Sequence, residues 1–289
     1  FYFHGSVKIA PNKAAFDTGD CPKDVSTSQA VSFALASSGW TVSPYLPQRR
    51  YPVKLHETST NHWYSHKGWF INLQKKIFGL SLSLAVPLIY ILFVSPIFLK
   101  PHVNGPTSAL IDFAVLWVLA LGMLFFTQSI EKLSLTTIGW KPLSLKSIFT
   151  AMGLGILLSL LVPIFTLAVS KVFPPSDTGS ITQVTSNFSW WILLLSVLTA
   201  GITEEILFRG YALERLYEIT SNKWVSGLIS LIFFVAIHSA GWNIAHVVGV
   251  VIPLGIILTG LYFWQRNLSF MMIVHVVIDL PLVFIVLLR

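Results

Sequence analysis

The chain has 289 residues, of which 54% are hydrophobic and 11% are charged, and its net charge is +7. Soluble domains carry about 25% charged residues, so this composition excludes an ordinary soluble globular domain. The single cysteine, Cys21, excludes an intrachain disulfide and a multi-cysteine metal site. In a membrane protein, cytoplasmic loops and lipid head groups explain the positive charge better than nucleic acid does, so we expect no nucleic-acid partner.

Residues 1–70 form a zone of their own, rich in Pro, Ser and Thr and without clear periodicity. We predict a weakly structured extramembrane extension there, followed by a membrane-embedded domain over residues 71–289. Because the chain begins with Phe1 rather than Met, we expect it to be processed, or to be a fragment that follows a missing upstream segment.

Long apolar runs predict an all-α fold, a polytopic transmembrane helical bundle of about seven to eight spans. A helix needs roughly 20 residues to cross the bilayer, and several runs reach this length. The seven clearest spans are about Ile77–Leu99, Ser108–Ile130, Ile148–Val169, Trp190–Phe208, Trp224–His238, Asn243–Trp264 and Phe270–Leu288.

The loops between these spans differ in positive charge. Lys and Arg are concentrated in residues 1–76 and after the second, fourth and sixth spans, whereas the opposite side holds Lys100, Lys171 and Arg289. Short loops rich in positive charge stay in the cytoplasm. We therefore predict an integral, multi-pass protein of a bacterial-type inner membrane, with its N-terminal zone and the end of the fourth span in the cytoplasm.

Two adjacent carboxylates, Glu204 and Glu205, follow a run without charge, Trp190–Ile202. A carboxylate inside the membrane is costly, so such residues normally face a polar cavity and have a function. Glu205 and Arg209 are four residues apart and can pair on one helical face. Glu204 then has no local partner. Because we predict that this span ends at Phe208, we place both carboxylates near its cytoplasmic end.

Other spans contribute three further polar residues. His238 ends the fifth span, and His275 and Asp279 are four apart on the seventh, so they share a face. Two imidazoles and a carboxylate are sufficient for a zinc site with one position open for water, and His238, His275 and Glu204 are the candidate ligands. They can equally hold a bare water that Glu204 deprotonates as a general base. His246 and Asp112 also lie in spans, but neither has a motif, and we favour structural roles for them.

If the helices were straight and perpendicular to the membrane, His238 would lie at a different depth in the bilayer from Glu204 and His275. At a rise of about 1.5 Å per residue, His238 lies roughly 22 Å from the start of its span, and Glu204 and His275 about 10 Å from the cytoplasmic face. Either residues 211–223 form an intramembrane elbow, or the helices tilt strongly.

Known intramembrane hydrolase motifs are largely absent. No span contains His-Glu-x-x-His or a Gly-x-Ser-x-Gly turn. Three spaced motifs remain: Glu-Glu-x-x-x-Arg at 204–209, Phe-x-x-x-His at 234–238 and His-x-x-x-Asp at 275–279. In this order and on separate spans, they resemble the CPBP family of intramembrane proteases over roughly residues 144–289. That family includes CAAX prenyl endopeptidases and bacterial abortive-infection (Abi) and bacteriocin-immunity proteins.

The resemblance implies that Glu204 activates the attacking water and that His238 and His275 position it, either through a metal, for which we expect Zn²⁺, or directly. Glu205 and Asp279 complete the implied catalytic set. Arg209 and Phe234 support it, the first as the partner of Glu205 and the second as a packing residue. The family's third motif usually ends in Asn, so Asp279 must be protonated, orient His275 or ligate the metal.

From these observations we predict an intramembrane endopeptidase, a glutamate-dependent protease or metalloprotease that hydrolyses membrane-associated peptides or proteins near the cytoplasmic face. Its partners would be the lipid bilayer and a peptide or protein substrate entering from the membrane or the cytoplasm. The alternative is a non-catalytic bacteriocin-immunity or scaffold protein of the same fold. A proton-coupled transporter is a distant third hypothesis, because matching broken helices in two halves are missing.

Overall fold

The computed structural model describes residues 71–174, 176 and 178–288. The predicted extension at residues 1–70 therefore lies outside the described residues. In this described part, a short 3-10 helix, Leu135–Ile138, accompanies eight longer helices in chain order: α1 Ile71–Leu99, α2 Gly105–Ile130, α3 Leu145–Ser170, α4 Ile181–Asn187, α5 Trp190–Thr220, α6 Lys223–His238, α7 Ile244–Gln265 and α8 Leu268–Leu287. The described part of the chain contains no strand, which confirms the all-helical fold.

The helices begin where polar side chains can satisfy free backbone N–H groups. The first N–H groups of a helix have no partner inside it, and Asn or Ser at the preceding position accepts a hydrogen bond from one of them. Six of these helices, α2, α3, α4, α6, α7 and α8, start in this way, at Asn104, Ser144, Ser180, Asn222, Asn243 and Asn267. Each cap therefore determines where the chain enters its apolar run.

All seven apolar segments predicted from hydropathy are helical. In the described part of the chain, six helices are long and apolar enough to cross a membrane. The exception is α6, which has 16 residues and is shorter than a full span. Large apolar side chains are exposed along the outer faces, among them Phe149, Leu160 and Leu167 of α3. Lipid tails cover such faces in a bilayer. The chain is thus a multi-pass helical membrane protein.

The prediction that the fourth span ends at Phe208 is wrong, since α5 continues to Thr220. Every residue from Thr203 to Leu216 is buried. The charges that lowered the hydropathy after Phe208 are paired inside the protein: Arg209 with Glu205, Glu214 with Arg266, and Arg215 with Glu131. Paired charges cost far less to bury than isolated ones, so the helix does not have to end at them.

The central helix α5 packs against α1, α2, α6 and α8, and α8 also packs closely against α3. Two serines from neighbouring helices donate hydrogen bonds to its backbone. Ser83 Oγ lies 2.6 Å from the carbonyl oxygen of Leu207, and Ser230 Oγ lies 2.9 Å from that of Phe208. These carbonyls belong to the π-helical segment Ala200–Leu213, which also carries both adjacent glutamates. The packing therefore locks the segment that holds the candidate site.

Candidate active site

Glu204 lines a cavity of about 480 Å³ between the helices. The residue is 8% exposed, and its Oε2 atom is buried without a hydrogen-bond partner among the described residues. The nearest basic group is His238, whose Nε2 lies 3.7 Å from Glu204 Oε2. A buried polar atom without a protein partner calls for an explanation, and in a cavity of this size the natural one is contact with water or a bound ligand. Glu204 therefore lies at the cavity with one carboxylate oxygen that no described residue satisfies.

Glu205 has a different environment from its neighbour. Its Oε1 atom accepts hydrogen bonds from Arg209 Nη1 at 3.0 Å and from His275 Nδ1 at 2.8 Å. The side chains of Glu205 and Arg209 are 0% and 1% exposed, so the ion pair expected from their spacing is present and fully buried. Because Glu205 fixes one nitrogen of His275, it orients that ring and leaves Nε2 free to act elsewhere.

His238 is oriented by the backbone of its own helix. Its Nδ1 atom lies 2.8 Å from the carbonyl oxygen of Phe234. A carbonyl only accepts hydrogen bonds, so Nδ1 carries the proton and Nε2 is the atom that faces Glu204. The ring of Phe234 packs against the imidazole with 4.4 Å between ring centres, and the Arg209 guanidinium lies 4.1 Å above the same ring. Phe234 thus connects the buried ion pair to His238.

Asp279 lies on α8, next to Leu280, where the helix is interrupted before it continues at Pro281. Its Oδ2 atom is 3.5 Å from His275 Nε2, and both residues line the cavity. This distance places a carboxylate beside the free nitrogen of His275 without a short hydrogen bond. The imidazole therefore lies between two carboxylates, Glu205 on one nitrogen and Asp279 near the other.

The structure meets the requirements of the predicted zinc site only in part. Both histidines direct Nε2 toward the cavity while Nδ1 is held by an acceptor, as is common for metal-binding imidazoles. Within the described residues, however, no group of three or more His, Cys, Asp or Glu side chains lies close enough together to hold a metal ion. The described residues therefore do not fit a metal ion as they stand.

Several cavity residues were not expected to be there. Asp112 and His246, for which the sequence favoured structural roles, both line the cavity, as do Lys100 and Trp242. His246 stacks on Trp242, with 4.0 Å between ring centres. For Asp112 and His246, the signal in the sequence was the rarity of ionisable residues inside apolar spans, whereas Lys100 and Trp242 lie outside the predicted spans and had no such signal. The sequence did not show that these residues line one cavity, because that depends on how the helices pack.

The depth of the site differs from the sequence prediction. Glu204 lies sixteen residues before the end of α5 at Thr220, and His238 lies fifteen residues after the start of α6 at Lys223. The two helices are joined by a short turn, so each residue lies roughly 22 Å along its helix from that turn. Residues 211–220 are helical, and the elbow hypothesis is therefore wrong. The carboxylates lie in the middle of α5 rather than at its end.

The cavity extends to one end of the bundle. Lys100, Gly241 and Trp242 line it, and these residues belong to the loops after α1 and α6. Among its described lining residues, none comes from the loops after α2, α5 or α7. The end of the bundle that holds these three loops is the one richer in positive charge, with Lys132, Lys141, Lys146, Lys223 and Arg266 against Lys100 and Lys171 at the cavity end. The cavity thus reaches the end opposite to the one that the charges predict to be cytoplasmic.

The fold and the site together place the protein in the class of multi-pass helical membrane proteins with a Glu–His pair in a cavity between the helices. Residues 186–281 match the family model of the Rce1-like type II CAAX prenyl endopeptidases. This segment contains all three motifs, and the match confirms the family resemblance predicted from them.

Among curated proteins, the chain is similar to the UPF0177 protein YbdI of Lactococcus lactis subsp. lactis (strain IL1403). The two are 29% identical over 112 residues, which is 36% of this chain and 58% of the relative. The match therefore spans little more than half the length of that relative. No solved structure matches the chain.

Proposed function

We propose that the protein is an intramembrane endopeptidase that hydrolyses peptide bonds of membrane-associated peptides or proteins. The observation that carries this proposal is the buried, unpartnered Oε2 atom of Glu204, which faces His238 Nε2 across 3.7 Å inside the cavity. The match of residues 186–281 to the Rce1-like family supports it. The cavity wall is mostly apolar, so an extended, apolar peptide segment is a suitable occupant.

Glu204 is the proposed general base. A water molecule in the cavity donates one hydrogen bond to Glu204 Oε2 and the other to the neutral Nε2 of His238. Glu204 then takes a proton as the water oxygen attacks the scissile carbonyl carbon. The same proton then passes from Glu204 to the nitrogen of the leaving amine as the tetrahedral intermediate collapses and its C–N bond breaks, which completes the hydrolysis. The Phe234 carbonyl keeps His238 in the tautomer that this arrangement requires.

His275 is the proposed donor to the developing oxyanion. In its protonated form it donates from Nδ1 to Glu205, which leaves the Nε2 proton for the oxygen of the tetrahedral intermediate. Asp279, whose Oδ2 lies 3.5 Å from Nε2, is the proposed orienting group on the other side of the ring. In this proposal Asp279 does not need to replace the usual Asn as a hydrogen-bond donor to the oxyanion, because it acts through His275.

The proposal is tested with Glu204→Gln, which keeps the shape of the side chain and removes the base. We expect loss of cleavage by at least about a hundredfold, the usual contribution of a general base. The readout is a comparison of membrane peptides from cells with the wild-type and variant proteins. Glu218→Gln is the matched control, since Glu218 lies on the same helix but outside the cavity. Undiminished cleavage by Glu204→Gln would exclude this mechanism. Metal analysis of the same purified proteins tests for Zn²⁺.

A further inference from the structure

Asp112 is a second carboxylate in the cavity, and the proposed hydrolysis does not use it. It lies seven residues into α2 and lines the cavity together with Phe113, Leu116 and Ile91. Tyr90 of α1 donates a hydrogen bond from its hydroxyl to Asp112 Oδ1 at 2.8 Å. The carboxylate is thereby held in one orientation at an apolar wall of the cavity.

Among the described residues, no basic side chain forms an ion pair that balances the charge of Asp112. Lys100 lines the same cavity, but it makes no ion pair there. A carboxylate within an apolar span is expensive, and such residues normally pair with an opposite charge. A positively charged group on a molecule that enters the cavity could therefore pair with Asp112.

We propose that Asp112 is a specificity subsite that binds a basic side chain, Lys or Arg, of the peptide that enters the cavity. This proposal rests on the proposed endopeptidase function and adds the chemical class of substrate. A carboxylate with one oxygen held by a hydroxyl still offers its other oxygen to an ammonium or guanidinium group. A substrate with a neutral or acidic residue at this position leaves the charge uncompensated and binds more weakly.

The hydrogen bond from Tyr90 also ties α1 to α2, which is the competing explanation. A tie of this kind needs only an acceptor, and the amide oxygen of Asn also accepts a hydrogen bond from the Tyr90 hydroxyl. The negative charge strengthens that hydrogen bond but costs desolvation, so the tie by itself does not require a charged residue. Asp112→Asn therefore separates the two roles, because it keeps the tie and removes the charge.

The test measures binding in the cavity without requiring turnover. Cys21 is the single cysteine, so Cys21→Ser combined with Leu116→Cys places one thiol in the cavity, one helical turn from Asp112. Labelling of this thiol by N-ethylmaleimide in detergent is followed in the presence of octylammonium or octanol, which have the same chain length. We expect octylammonium to protect the thiol at a concentration about tenfold lower, which corresponds to about 1.4 kcal/mol.

Matched variants on this background decide the outcome. Asp112→Asn should abolish the preference for octylammonium, whereas Asp112→Glu should retain it and Glu204→Gln should leave it unchanged. Lys100→Gln should strengthen it by removing a competing cation. The proposal is overturned if both probes protect equally in the parent protein, or if the preference survives Asp112→Asn. Protection is expressed relative to each variant's own labelling rate without probe, and an unchanged circular dichroism spectrum in detergent shows that the variant is folded.

Cleavage provides a second measurement that separates this proposal from the proposed function. If the protein is a peptidase, peptides cleaved by the wild type should be enriched in Lys or Arg at one position relative to the cut, and Asp112→Asn should lose this enrichment. A charge preference in labelling together with no cleavage by any variant would contradict the endopeptidase function and leave the cation subsite in place.

Discussion

At the scale of single residues, the two adjacent glutamates differ in what surrounds them. Glu205 is buried against Arg209 and His275, and its charge is used to hold both partners. Glu204, the preceding residue, faces the cavity with one oxygen unpartnered. Adjacent positions on a helix point about 100° apart, so one side chain can support the site while the other acts in it. The ion pair of Glu205 is thus a structural requirement for orienting His275.

Loss of Arg209 should therefore destabilise the protein. Arg209→Met leaves Glu205 buried without its main counter-charge, and we expect a cost of about 3 kcal/mol or more in the free energy of unfolding. Unfolding in detergent micelles, followed by circular dichroism, measures it. The control is Lys76→Met, which breaks the exposed pair Lys76–Glu218 and should cost less than about 1 kcal/mol. Equal stability of both variants would contradict the role assigned to Arg209.

At the scale of helices, α8 is held close to two neighbours at glycine positions. A Cβ atom at Gly201 of α5 would lie 2.5 Å from Val276 Cγ2, and one at Gly155 of α3 would lie 2.9 Å from the backbone oxygen of Val274. These valines directly flank His275 in the sequence. Small residues permit helices to approach closely in membranes. The position of His275 therefore depends on helices α3 and α5 having no side chain at these points.

Two glycines of α3 provide a matched test of this packing. Gly155→Ala should force α3 and α8 apart, with a cost of about 1–3 kcal/mol in unfolding free energy and a loss of activity through the displaced His275. Gly153→Ala meets nothing within 4 Å and should be neutral or stabilising by up to about 1 kcal/mol, because Ala favours helix. Unfolding in micelles and peptide cleavage are measured for both. Identical behaviour of the two variants would refute the close-packing argument.

At the scale of the whole molecule, charges are divided between the two ends of the bundle. One end contains buried networks: Arg215 with Glu131 and Tyr211, and Glu214 with Tyr262 and Arg266. These join α5 to the loops after α2 and α7. The other end contains the loops that border the cavity. Arg209 and Arg215 are fully buried, so they do not contribute to the loop charges that orient the protein, although the remaining Lys and Arg favour the same orientation.

The orientation can be measured with single cysteines on a Cys21→Ser background. Lys141→Cys lies in the positively charged loop after α2, and Lys100→Cys lies beside the cavity at the opposite end. We expect a membrane-impermeant maleimide added to intact cells to label Lys100→Cys, and to reach Lys141→Cys only after the membrane is opened. The reverse pattern would place the cavity mouth in the cytoplasm and contradict the orientation predicted from loop charge.

The sequence by itself determined the helical membrane fold, because burial in lipid requires continuous apolar runs that leave a visible pattern. It also indicated Glu204, Glu205, His238 and His275, since ionisable residues inside such runs are rare. Only the tertiary structure decided where these residues lie and which of them contact one another. Hydropathy ended the fourth span at Phe208, because it counts Arg209, Glu214 and Arg215 as solvated, whereas packing pairs them and extends the helix to Thr220. The depth of the site, the separate roles of Glu204 and Glu205, and the position of Asp112 in the cavity depend on contacts between distant segments, which local sequence does not record.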